Sequence, residues 1–143
     1  MFGKLKAKLG GGVNRFAGNT DFLEAVCASA ALVAAADGDI SDEEVAVAAK
    51  TVKSNATLNG AFKPAQIEKT IDHMLNRVSA GRTGRMEVFK ELGDIDDAEM
   101  GETVYLTALD VAESCGDISS SERTMLEKIA RTVGVNAAAL EAI

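Results

Sequence analysis

Shifted by 78 positions, the chain lies over itself. Residues 25–53, AVCASAALVAAADGDISDEEVAVAAKTVK, then align with residues 103–131, TVYLTALDVAESCGDISSSERTMLEKIAR. Identities fall at Val26/Val104, Ala30/Ala108, Val33/Val111, Ala34/Ala112, Gly38/Gly116, Asp39/Asp117, Ile40/Ile118, Ser41/Ser119, Glu44/Glu122 and Lys50/Lys128. The apolar identities are spaced four and three apart, so they form one stripe along an α-helix. Both stripes run into the same Gly-Asp-Ile-Ser and then into a second helical pattern. The chain therefore carries one helix–loop–helix twice. Two units are too few for a solenoid, which needs three or more to bury its core. The expectation is a compact bundle of two related halves packed about a pseudo-two-fold axis.

The other segments support an all-α class. Apolar residues make up 47 % of the 143 positions but aromatics only 4 %, and a single Pro is present. Alanine-rich helices approaching closely through small side chains follow from that balance. Asn19 or Thr20 can cap a helix over 21–36, with Phe22, Val26, Ala30 and Val33 on one side. Ser41 opens a second through about residue 54, and 55–60 (NATLNG) reads as a loop. Pro64 suits the first turn of a helix to Ser79, with Ile67, Ile71, Met74, Leu75 and Val78 inward. A turn at 80–85 leads to a short helix over 85–92. Asp96 or Asp97 opens a long helix to Ser114, and Ser119 another to Val133. Gly134 ends that one, and Asn136 can cap a last short one. That makes about seven helices and no strand.

Residues 1–20 stand apart as a basic arm before a domain over 21–143. They hold Lys4, Lys6, Lys8 and Arg15 and no acid. Phe2, Leu5, Leu9, Val13 and Phe16 give an amphipathic pattern, but Gly10-Gly11-Gly12 interrupts it at roughly 1 kcal/mol per glycine. A weak membrane-surface contact is one reading of this arm. A frayed helix or free tail is the other. The net charge of −7 argues against nucleic acid as a partner. Lysines interrupt the start too often for a signal peptide, and the apolar run 25–36 is too short to span a bilayer. A cytoplasmic protein is expected, peripheral at the inner membrane face if the arm binds there. Cys27 and Cys115 read as reduced packing thiols.

The repeated loop is where chemistry is to be sought. Ser41-x-x-Glu44 and Ser119-x-x-Glu122 are capping boxes, and Gly38 and Gly116 suit a helix C-terminus. Ile40 and Val45 can form a hydrophobic staple, although Arg123 replaces Val45 in the second copy. Capping does not call for Asp39 or Asp117, nor for Asp37, Asp42 and Glu43. Two like charges 4 Å apart repel by about 1 kcal/mol in water and about 4 kcal/mol at a protein surface. A helix N-terminus offsets roughly 0.3–1 kcal/mol per charge, so a cation or basic partner is a natural complement. An EF-hand is excluded, since its sixth and twelfth positions would be Asp42 and Ala48 rather than Gly and Glu. A site of another kind, with oxygens from both repeats, would take a hard cation such as Ca2+ or Mg2+. Zinc does not suit a chain with one histidine, His73.

The pairing of AAADGDISDEE with AESCGDISSSE resembles the two signatures of the tellurite-resistance TerB family. The basic amphipathic start and the closing EKIARTVGVNAAAL are similar as well. The resemblance implies a compact all-helical domain of two related halves with acids gathered on one surface and no established enzymatic activity. It also implies bacterial or phage-borne proteins of the tellurite and chemical-stress response that act with membrane partners and calcium-binding Ter proteins. The acidic signature falls on Asp37, Asp39, Glu44, Asp117 and Glu122, the candidate metal ligands. Cys115 stands where the second signature normally carries its first Asp, so the first copy is the fuller one.

Three functions compete at this point. A non-enzymatic interaction module would use the acidic face to bind a divalent cation, a basic protein partner, or both. A hydrolase or lyase would need one of its two carboxylates with a raised pKa, yet Asp39 and Asp117 both precede helix N-termini, which lower it. No phosphate-binding loop is present and no serine triad assembles around one histidine. A plain scaffold or oligomerisation domain would use its acids for solubility alone. His73 reads as a surface or boundary residue and Tyr105 as core with its hydroxyl near the edge. The acids at 94, 96, 97 and 99 read as N-terminal helix charge. Arg82 and Arg85 in GRTGR offer either an anion contact or a solvated turn.

Overall fold

The computed structural model describes residues 16–114 and 116–143. Lys4, Lys6, Lys8, Arg15 and the arm's apolar residues through Val13 lie outside the described residues, as does Cys115. Eight α-helices and one 3-10 turn follow in order, with no strand among the described residues. They are α1 (Thr20–Ala34), α2 (Asp42–Lys53), α3 (Ala56–Ala61), α4 (Pro64–Val78), α5 (Gly81–Lys90), the 3-10 turn (Glu91–Asp94), α6 (Ala98–Ser114), α7 (Ser120–Val133) and α8 (Ala137–Glu141). The class is all-α, as the periodicity requires.

Helix α1 is the axle. The sequence pattern placed one stripe of it inward, but every residue from Ala25 to Ala34 is buried, together with Phe22 and Leu23. A helix apolar all round belongs inside a larger core, and this one is wrapped chiefly by α6 and α4. Its small residues allow close approach: the Ser29 hydroxyl lies 2.8 Å from the Val26 carbonyl and 3.0 Å from the Val104 carbonyl across the α1–α6 contact. Its one proton serves either oxygen, so the buried hydroxyl is satisfied. Phe16 is buried as well and stacks on Phe22 with ring centroids 4.7 Å apart.

Several boundaries differ from the sequence reading. Residues 56–61 are the helix α3 rather than a loop, which brings the helices among the described residues to eight. Asn55 caps it by accepting from the Leu58 amide at 3.0 Å, and Leu58 is fully buried. Tertiary anchoring of one leucine overrides the weak helix propensity of Asn, Thr and Gly. Helix α5 starts at Gly81, so the expected turn GRTGR is its first turn and a half. Gly84 explains the fit: a Cβ there would stand 1.9 Å from the Arg77 carbonyl oxygen of α4. Other termini fall where capping chemistry put them. Asn19 accepts from Phe22 N at 3.1 Å, Asp97 from Met100 N at 3.0 Å and Asn136 from Ala139 N at 3.1 Å. Gly134 is left-handed at φ 75°.

Candidate functional site

The two copies of Gly-Asp-Ile-Ser build the same local structure. Gly38 and Gly116 have φ of 93° and 104°, the region that an L side chain enters only with strain. Each lets the chain turn out of a buried helix and present the next aspartate. Ser41 then accepts from the Glu44 amide at 3.1 Å while Glu44 accepts from the Ser41 amide at 3.0 Å. In the second copy Ser119 accepts from Glu122 N at 3.1 Å and Glu122 from Ser119 N at 2.8 Å. Both are complete capping boxes, each serine holding β-region dihedrals before its helix.

The loops meet. The Ser119 hydroxyl lies 3.5 Å from Asp37 Oδ1, 82 residues away in sequence. At that length the bond is weak, but it fixes the geometry: α1 and α6 deliver their loops to the same side. Asp37 is thus joined to the second loop through Ser119 rather than through the second copy's acids. Asp39 and Asp117 are exposed and make no hydrogen bond or ion pair with any described residue. Glu44 and Glu122 are half-buried, each with one carboxylate oxygen committed to its cap. Among the described residues, no three His, Cys, Asp or Glu side chains converge closely enough to enclose a metal ion. The carboxylates of the two loops thus form at most an open rim, not a closed cage.

The Cys27 thiol is fully buried, and burial pushes its pKa far up, so it packs rather than reacts. His73 is exposed on α4, at a surface cleft with Glu24 and Lys69. Burial first, and the neighbouring Glu91 carboxylate second, raise the Glu24 carboxyl above its ordinary range. Tyr105 is buried with its hydroxyl 3.0 Å from Glu141 Oε2, and Arg123 Nη1 donates to Glu141 Oε1 at 2.7 Å. Burial, then the Glu141 contact, push the Tyr105 hydroxyl up to about 12. This trio ties α8 to the body and gives a partner to Arg123, which stands where the first copy has Val45.

Sequence reasoning found the two loops but not the role of Ser119 between them, because nothing local marks a contact between chain segments so far apart. It also passed over a groove between α5 and α7, whose residues are too scattered to form a motif.

A family model described as Tellurite resistance protein TerB matches residues 23–143. No curated protein and no solved structure matches the chain.

Proposed function

Since this chain belongs to the tellurite resistance protein TerB family, we propose that it is a non-catalytic interaction module of the tellurite-resistance and stress response, whose paired loops bind something positive. One observation carries this reading: Ser119 stands against Asp37, so the two acidic turns adjoin, and we read them as one surface. Repulsion within that surface is offset only in part by the helix N-termini. An open rim suits a cation that keeps much of its water, as Mg2+ does, or Ca2+ with its loose geometry. It suits equally the ammonium and guanidinium groups of a basic protein partner. Asp37, Asp39 and Asp117 would make the direct contacts, with the free oxygens of Glu44 and Glu122 beside them. We place this work in the cytoplasm or at the inner membrane face, with membrane-associated or other Ter-type proteins as partners. No described helix is long and apolar enough to cross a membrane.

Amide NMR of the full chain, titrated with CaCl2, with MgCl2 and with a lysine-rich peptide, tests the reading. Shifts confined to 37–44 and 117–122, abolished in Asp39→Asn/Asp117→Asn with an unchanged fold, are expected for at least one of these. No localised shift at millimolar concentration of any of them would leave the loops as helix terminators and the domain as a scaffold.

A further inference from the structure

A second surface of opposite character lies between α5 and α7. Met86 and Phe89 on α5, Met125 on α7 and Leu32 on α1 form an apolar groove of about 230 Å³, with Arg85 and Lys128 at its edges. Met86 is 59 % exposed, and apart from Ile143 it is the only large hydrophobic side chain so exposed among the described residues. Arg85 and Lys128 have no ion-pair partner among the described residues. Helix α5 packs chiefly on α4 and α7 chiefly on α6, and both also rest on α1 and the 3-10 turn rather than closely on each other. The result is a trough between two helices, floored by a third.

We propose that this groove docks an acidic amphipathic segment of a partner protein, which inserts large apolar side chains beside Met86 and Met125 and sets carboxylates on Arg85 and Lys128. Three observations select that occupant. The volume is below the roughly 300–1,000 Å³ of small-molecule sites, so it takes side chains rather than a whole cofactor. Two methionines in one groove supply the unbranched, polarizable contacts that adapt to a helix laid between helices. Charge decides the rest. On a chain of net charge −7, two unneutralised cations flanking an apolar floor favour an anionic ligand. The chain's own arm, with Lys4, Lys6, Lys8 and Arg15, has the same sign as the rim and is disfavoured.

The full chain labelled at its methionine methyls reports directly, with buried Met74 and Met100 as internal controls. The probes are a short helical peptide with leucines at i, i+4 flanked by glutamates, and its lysine-flanked twin. The glutamate peptide is expected to move the Met86 and Met125 methyls while leaving Met74 and Met100 in place. Its affinity should exceed the twin's by about ten-fold at low salt and fall towards it as salt rises. Arg85→Glu/Lys128→Glu, with an unchanged fold by amide NMR, should reverse that order. The proposal is overturned if neither peptide moves the methyls at millimolar concentration, or if both bind equally. It is also overturned if the methyls shift with protein concentration alone, which makes a second copy the occupant. A shift on deletion of residues 1–15, which makes the arm the occupant, overturns it too.

Discussion

At the scale of single residues, two kinds of acid coexist in this chain. Glu44 and Glu122 hold up their helices, whereas Asp39 and Asp117 make no hydrogen bond or ion pair with any described residue. Ser41→Ala and Ser119→Ala should each lower stability by about 1 kcal/mol in chemical denaturation. The two losses should agree within a few tenths, because a 3.5 Å contact to Asp37 adds little to the Ser119 cap. A markedly larger loss at Ser119 would show that the loops hold each other more firmly than this. Glu24 is a third kind of acid. Its folded pKa is raised, so its favourable contribution is complete below the unfolded value and lost as pH rises through the folded one. Glu24→Gln should therefore melt higher than the parent at pH 7, with the gain vanishing below the ordinary carboxylate range. Glu141 has the opposite sign, lowered chiefly by the Arg123 hydrogen bond. Its contribution is present at neutral pH and lost on acidification. Tyr105, the only tyrosine, should titrate near pH 12 by ultraviolet absorbance and move part of the way back towards its ordinary value in Glu141→Gln.

At the scale of elements, capping residues mark the boundaries better than propensity does. Asn19, Ser41, Asp97, Ser119 and Asn136 act where simple side-chain chemistry puts them, and Gly134 where a left-handed backbone is needed. The failures share a cause. Helix α3 contains Asn59 and Gly60 and would not persist alone, yet Leu58 docks it in the core. Leu58→Ala should cost about 2–5 kcal/mol and release amide protection across 56–61 in hydrogen exchange. A small loss with α3 still protected would mean that its cap, not its leucine, holds it. Helix α5 starts earlier than the sequence suggests, because a glycine pair normally signals a turn. Here Gly84 is small for contact with α4, a tertiary reason that local sequence does not display.

At the scale of the whole molecule, the two acidic turns adjoin through Asp37 and Ser119, while α5 and α7 flank an apolar groove with Arg85 and Lys128 in its lining. If the loops await a cation, removing their charge should help the empty protein and harm the loaded one. Asp39→Asn/Asp117→Asn should match or exceed the parent's melting temperature in chelator at low salt, since repulsion is relieved. With millimolar Ca2+ or Mg2+ the order should reverse, because only the parent gains stability by binding. Unchanged order in both buffers would count against an ion at the loops.

The all-α class, the duplicated hairpin, the helix caps and the acidic loops were legible in the linear chain, because each depends on residues within one or two turns of one another. Periodicity and capping are local physics, so they survive translation into a string of letters. The burial of α1 on every side, the docking of α3, the meeting of Asp37 with Ser119 and the groove at Met86 were not. Those depend on which helices lie against which, and that is decided by close packing among segments far apart in sequence.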